Sequence, residues 1–266
     1  MKKFLIILLS LILCPLSLSC GNEPKNVDAP KPKKVYVVGL DDEYAPMGFR
    51  NDKGEIVGFD VDLAKEAARR MGAEFEFRPI VWDKKEAELN SGRIDIIWNG
   101  LDITPERQGY VLYSKPYLDN RQLLLVKKSR GFNIQSINDL AGKIVATQSG
   151  SNSEGYVERD AAFRSSLADF ITYPSFNQAF KDLHDDKIDV LIVDEIAGRY
   201  EMSKHPDELE IIEIQIGTAT ELGIGFRLGD VELRDEVQKV FDEMVADGTA
   251  KKISEQWFNA DLVIRK

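Results

Sequence analysis

Short apolar runs alternate along this chain with stretches in which apolar residues recur every three or four positions. The runs Val35 to Leu40, Glu74 to Phe77, Ile94 to Trp98, Leu123 to Val126, Ile144 to Thr147, Val190 to Val193 and Leu222 to Phe226 read as strands. Between them, Asp60 to Met71 sets Val61, Ala64, Ala68 and Met71 on one helical face and meets Gly72 as its stop. Near the C-terminus, Asp230 to Asp247 does the same with Leu233, Val237, Val240, Phe241 and Met244. Strand and helix in turn imply βαβ units, and so an α/β fold with mixed, mainly parallel sheets covered by helices.

One unit recurs at a spacing of 94 residues: ELNSGRIDIIWNG from Glu88 to Gly100, and DLHDDKIDVLIVDE from Asp182 to Glu195. Each combines a helix end, a turn, a basic residue, Ile-Asp and a buried strand, which suggests two similar lobes. Ligands of open α/β sheets bind beyond the carboxyl ends of strands, so Asn99 to Asp102 and Asp194 to Glu195 should face each other across a cleft. No linker rich in Pro, Ser or Gly divides the body. The lobes should therefore be joined by two strand crossings, near Asp119 to Arg121 and Gln215 to Ala219. That division gives residues 35–120 with 216–266 as one lobe and 121–215 as the other, the last helix packing back on the first lobe.

The N-terminus carries Lys2 and Lys3, an apolar stretch from Phe4 to Leu13, and small residues up to Cys20. This is the layout of an export signal, and a bilayer span would need ~20 apolar residues. Ser19 before Cys20 resembles the cleavage site of bacterial lipoproteins, whose exposed cysteine is acylated. The aliphatic residue usual three places before that cysteine is Ser17 here, flanked by Leu16 and Leu18. Residues 1–19 are thus expected to be removed, and residues 20–34 to form a tether lipidated at Cys20 and facing away from the cytoplasm. Its sequence, GNEPKNVDAPKPKK after the cysteine, is too polar to bury a core, and it reaches on the order of 20 Å.

Cleavage would remove Cys14, leaving no pair for an intrachain disulfide. It would also take Lys2 and Lys3, moving the net charge of −10 to −12. A body of about 230 residues needs no staples to bury a core, and its acidity argues against nucleic acid as a partner.

The segment GLDITPER, Gly100 to Arg107, breaks local rules. Thr104 suits an N-cap and Pro105 the first helical position, which would put Arg107 in a first turn, where a cation opposes the helix dipole by up to about 1 kcal/mol. The plain alternative is an exposed arginine paired with Glu106 or Asp102. The other reading is a guanidinium fork held for a carboxylate, with Asp102 and Asp194 receiving an ammonium group. One guanidinium and two carboxylates complement a zwitterion. In the other lobe, GSNSE from Gly150 to Glu154 fits a capping box of Ser151 with Glu154, and its helix N-terminus offers N–H groups, with Asn152 and Ser153 as further donors. Tyr44, in the acidic loop DDEYAPMGF, and Trp82 are aromatic candidates for opposite cleft walls.

With these residues in hand, the chain resembles the polar amino-acid-binding proteins of ABC importers, the family 3 extracellular solute-binding proteins with a type II periplasmic-binding-protein fold. The resemblance runs from about Val35 to Phe258 through DxxYAP at Asp41 to Pro46, GxxVGFDVDLA at Gly54 to Ala64, SGRID at Ser91 to Asp95 and ITPER at Ile103 to Arg107. It continues through DLAGK at Asp139 to Lys143, SGSNSE at Ser149 to Glu154, Asp194-Glu195 and DGTAKKI at Asp247 to Ile253. It implies that Arg107 clamps a ligand carboxylate with the N–H groups of Ser151, Asn152 and Ser153, and that Asp194 and Asp102 take the α-ammonium. It further implies that Asn99 and Gly100 form the floor and Gln148 a wall, that Tyr44 and Trp82 sandwich the side chain, and that Asp41 meets its polar end. Family members often have Ser or Thr where Asp102 stands and Phe where Met47 stands. The extra carboxylate fits the ammonium or a cationic side chain, so the expected ligand is a polar amino acid, basic or glutamine-like.

The resemblance implies a monomeric, non-enzymatic receptor that serves ABC permease subunits. Two alternatives stand beside it: an enzyme on the same scaffold, such as a dehydratase or peptidoglycan lyase, and a sensor lipoprotein acting in trans. Features for catalysis are few. GSNSEG is not GxSxG, and Gly223, Gly225 and Gly229 lack dinucleotide spacing. The two histidines, His184 and His205, are not spaced as a metal pair, so neither a cofactor nor a metal is expected.

Overall fold

The computed structural model describes residues 33–264; the signal, Cys20 and most of the tether lie outside them. Among the described residues, no helix is long and apolar enough to cross a membrane. The first half of the chain forms β1 (Val35–Leu40), β2 (Glu43–Tyr44), β3 (Gly48–Arg50), β4 (Ile56–Val57), α1 (Phe59–Met71), β5 (Glu74–Pro79), α2 (Lys85–Asn90), β6 (Ile96–Asp102), β7 (Leu112–Tyr113) and β8 (Leu118–Lys127). There follow β9 (Ile144–Gln148), α3 (Asn152–Arg159), α4 (Ala161–Ser166), β10 (Asp169–Tyr173), α5 (Phe176–His184), β11 (Val190–Asp194), α6 (Glu195–Lys204), β12 (Leu209–Phe226), α7 (Val231–Ala246) and α8 (Thr249–Phe258).

The strands of the main sheet are ordered β10-β9-β11-β8-β12-β6-β1-β5, with β7 on β12, while β2, β3 and β4 form a small separate sheet. Helical crossovers make β1 parallel to β5 and β6 at one end, and β9 parallel to β10 and β11 at the other. In the middle, β12 runs antiparallel to both β8 and β6. The 18-residue β12 and the 10-residue β8 carry the chain through Gln215 to Ala219 and Asp119 to Arg121 without a break in strand.

The two helices assigned from apolar periodicity both form. Helix α1 ends at Gly72, whose φ of 64° is the left-handed cap that glycine takes without strain. Helix α7 buries Leu233, Val237, Val240, Phe241 and Met244, and α8, a helix beyond those expected, packs on α1 and α7.

The recurring Ile-Asp has a structural reason. Asp95 donates its N–H to the Val37 carbonyl (2.8 Å) and accepts the Val37 N–H on its carboxylate (2.8 Å). Asp189 makes the same pair of bonds to Ile144, at 2.8 and 2.9 Å. Each aspartate thus clasps its strand to the neighbouring parallel strand before that ladder begins.

Two expectations need correction. The strand read as Ile94 to Trp98 is Ile96–Asp102, so Asn99 to Asp102 lie within its buried C-terminal end and not beyond it. Arg107 does not open an α-helix; it begins a single 3-10 turn, Arg107–Gly109. Thr104 still caps this turn, its hydroxyl accepting the Arg107 N–H at 3.3 Å, but the chain must reverse at once to lay β7 against β12. A one-turn segment has little dipole to oppose.

Candidate functional site

The C-terminal ends of β6 and β11 bring Asn99, Gly100, Asp102 and Asp194 to one enclosed space. Its lining also includes Asp41, Tyr44, Trp82, Gln148, Ser151 and Asn152. Two residues expected there stand apart. Ser153 is buried and donates to Gln122 Oε1 at 2.5 Å, and Arg107 lines an adjoining wider groove with Lys85, Glu86 and Glu154. The room left for water is about 10 Å3, on the order of a single water molecule. Any larger ligand requires the surrounding elements to part.

Hydrogen bonds across this space join the two ends of the sheet. Tyr44 donates to Asp194 Oδ2 at 2.7 Å, and Gln148 to Asp41 Oδ2 at 2.6 Å. The Gly150 carbonyl accepts from Arg107 at 2.8 Å and from Lys85 Nζ at 2.8 Å. The Arg107 side chain also lies 3.5 Å from Glu86 and 3.9 Å from the Asp102 carboxylate, and neither Glu106 nor open solvent is its main partner.

Asp102 and Asp194 are buried together, and a network the sequence did not predict separates their charges. Asn120 Nδ2 donates to both, at 2.9 and 2.6 Å. Gln122 adds a donor to Asp194 at 2.5 Å and Thr220 one to Asp102 at 2.5 Å. Asn120 and Gln122 point to one face of β8 because they are two residues apart; polar residues at this spacing just before Leu123 to Val126 were the signal available. Burial, and then the charge of Asp194, push the Asp102 carboxyl up to about 6, against the pull of Arg107. Burial raises Asp41 to about 6 as well.

The floor is held from beneath. Asp60 accepts the Gly100 N–H at 2.7 Å and the Tyr117 hydroxyl at 2.9 Å. Gly100 has φ of +61°, and an added Cβ would lie 2.7 Å from the Tyr44 ring. Asn99 accepts the Asp41 N–H at 2.9 Å, and its own Nδ2 is buried without a hydrogen-bond partner. Lys85 is 2% exposed, lies over the Trp82 ring and is pulled down to about 8 by burial and by Arg107. Its buried ammonium sits in a helix that looks solvent-facing in sequence. At Gly150 to Glu154 half of the expected capping box forms: Ser151 Oγ accepts the Glu154 N–H at 3.1 Å, whereas the Glu154 carboxylate takes the Gly150 N–H at 2.6 Å.

The family model of the bacterial extracellular solute-binding proteins, family 3, matches residues 36–260. Among curated proteins, the chain is 32% identical to the L-cystine-binding protein TcyJ of Escherichia coli K12 over 87% of this chain and 85% of that protein. It is 30% identical to the arginine-binding extracellular protein ArtP of Bacillus subtilis over 98% of this chain and all of that one. Among solved structures, an ABC uptake transporter substrate-binding protein from Streptococcus pneumoniae with bound histidine superposes with a TM-score of 0.82 at 32% identity, covering 87% of this chain and 95% of the other.

Proposed function

Because the chain belongs to the family 3 bacterial extracellular solute-binding proteins, we propose that it captures a polar amino acid outside the cytoplasmic membrane and delivers it to an ABC permease. Capture proceeds by closure of two lobes, residues 35–120 with 216–266 and residues 121–215, flexing where β8 and β12 pass between them. The protein acts as a non-enzymatic monomer, held at the membrane through acylated Cys20.

The observation that carries this reading is the charge pattern: the Arg107 guanidinium lies 3.9 Å from Asp102, and Asn120 couples Asp102 to Asp194. Parting the lobes frees the Arg107 N–H now on the Gly150 carbonyl for a ligand carboxylate, with the N–H groups of Ser151 to Ser153 beside it. Asp102 and Asp194 receive the ammonium, and the unpaired Asn99 Nδ2 lies at the floor. Tyr44 and Trp82 flank the side chain, and Asp41 with Gln148 meets its far end. A buried carboxylate there favours a polar tip, basic or glutamine-like. The cystine, arginine and histidine named for the similar proteins are all amino acids with polar side chains.

Titration calorimetry with the twenty amino acids tests the reading. One or a few should bind, and Arg107→Ala should cost roughly 2 to 5 kcal/mol by stranding a buried carboxylate, about thirty- to a few thousand-fold in affinity. Binding by none, or undiminished binding by R107A, overturns it.

A further inference from the structure

The chain has two histidines, on different helices, and the fold brings their rings together. His184 ends α5 and His205 follows α6; their ring centroids are 4.6 Å apart. Glu201, one helical turn before His205 and 6% exposed, lies between them. Its Oε1 is 3.6 Å from His184 Nε2 and 3.5 Å from His205 Nε2. Among the described residues this is the one group of three His, Cys or carboxylate side chains whose ligand atoms all fall within 4.8 Å of one another.

We propose that His184, Glu201 and His205 form a site for a divalent transition metal ion of zinc's class. Three observations carry it. The separations of 3.5 and 3.6 Å are too long for good hydrogen bonds. They are close to the edge, about 3.4 Å, of a tetrahedron whose corners lie 2.0–2.2 Å from a zinc ion, and the two imidazoles, their ligand atoms within 4.8 Å of each other, would draw in on an ion. His184 Nε2 is buried with no hydrogen-bond partner, while its Nδ1 lies 2.9 Å from Glu208 Oε1. A carboxylate on the far nitrogen is the arrangement that orients a metal-ligating imidazole, because it directs the free lone pair of Nε2 outward. With Nδ1–H donated to Glu208, Nε2 faces the Glu201 carboxylate with a lone pair, and a cation between them would turn a repulsive contact into two bonds. Finally, Lys204 pairs with the other oxygen of Glu201, so Oε1 is the oxygen left to the histidines. Three protein ligands leave a fourth position for water on the His205 side, where that side chain is 42% exposed. Glu201 and His205, four residues apart at the end of α6, share a face, but sequence spacing gave no hint that His184, from α5, joins them. The ion would tie the end of α5 to the end of α6, the helices that precede and follow β11.

The test is a titration of the metal-stripped, tag-free full-length protein with Co2+, read by the visible absorption of tetrahedral cobalt, with Zn2+ then added to displace it. Saturation at one ion per chain, abolished in His205→Ala and Glu201→Gln, is the expected result. Glu208→Gln, which removes only the orienting carboxylate, should bind about 10- to 100-fold more weakly. His205 is exposed, so H205A should remain folded by circular dichroism. Two results would overturn the site: no saturable uptake in the micromolar range, meaning an imidazolium–carboxylate pair only, or saturation in H205A and E201Q equal to the parent, meaning an ion held elsewhere.

Discussion

Asp60→Asn isolates the electrostatic cost of the carboxylate under the cleft floor. Asp60 is fully buried, its Oδ2 holding Gly100 and Tyr117 and its Oδ1 without a hydrogen-bond partner. Burial raises its carboxyl from 3.8 to about 7. A raised folded-state value means that the native protein binds this proton more tightly than the unfolded chain. The stability contribution is therefore largest below pH 3.8, is lost as pH rises toward 7, and is level above. About three units at 1.36 kcal/mol each amount to about 4 kcal/mol. Asp41 and Asp102, each raised to about 6, act in the same sense at lower pH. Comparing D60N with the parent at pH 4 and again at pH 8 cancels their share, together with the pH-independent cost of the new amide. Urea unfolding should show D60N gaining about 4 kcal/mol on the parent between the two pH values. Equal differences at both pH values, or a change in the parent's favour, would refute the argument.

Two further substitutions probe the site. Gly100→Ala places a Cβ 2.7 Å from the Tyr44 ring at φ +61°; a strain of about 1–2 kcal/mol should weaken ligand binding about tenfold or more in calorimetry. Asn120→Leu removes the donor shared by Asp102 and Asp194 and should destabilise the protein by about 2–4 kcal/mol at pH 7. The loss should shrink at pH 5, where Asp102 takes up a proton, as urea unfolding at the two pH values would show.

Burial explains which parts of this architecture could be read from the sequence. Strands β1, β9 and β11 lie inside the sheet with a neighbour on each side, so continuous apolar runs mark them to within a residue or two. Strand β12 was legible as a crossing near Gln215 to Ala219 and as an apolar run from Leu222, but not as one continuous strand from Leu209, because its earlier part mixes polar and apolar residues and passes between the two ends of the sheet. Similarly, β8 was legible as a crossing near Asp119 to Arg121 and as an apolar run from Leu123, while the roles of Asn120 and Gln122 in it were not. The polar partners in the cleft divide the same way. Asp102 and Asp194 end buried strands and Arg107 breaks a local rule, whereas Asp60, Lys85 and Thr220 occupy positions that look solvated until distant segments cover them. Arg107 was found through a helix that does not form: Thr104 and Pro105 are genuine initiation residues, but the requirement that β7 pair with β12 stops the helix after one turn.

The pairing of β8 with β12, in which Asn120 faces Thr220 and Asp119 faces Glu221, has a consequence for the closure proposed above. Two hydrogen-bonded strands form a ribbon that bends across its face much more readily than one strand slides along the other. Asn120 lies in that ribbon and holds Asp102 and Asp194 directly, so the two carboxylates travel a short arc when it flexes. The Gly150 carbonyl is held by Arg107 and Lys85, while Ser153, three residues on, is bonded to Gln122 within the ribbon itself. In that closure, Asn120 would keep the Asp102 and Asp194 pair assembled while the bonds of Arg107 and Lys85 to the Gly150 carbonyl part and re-form.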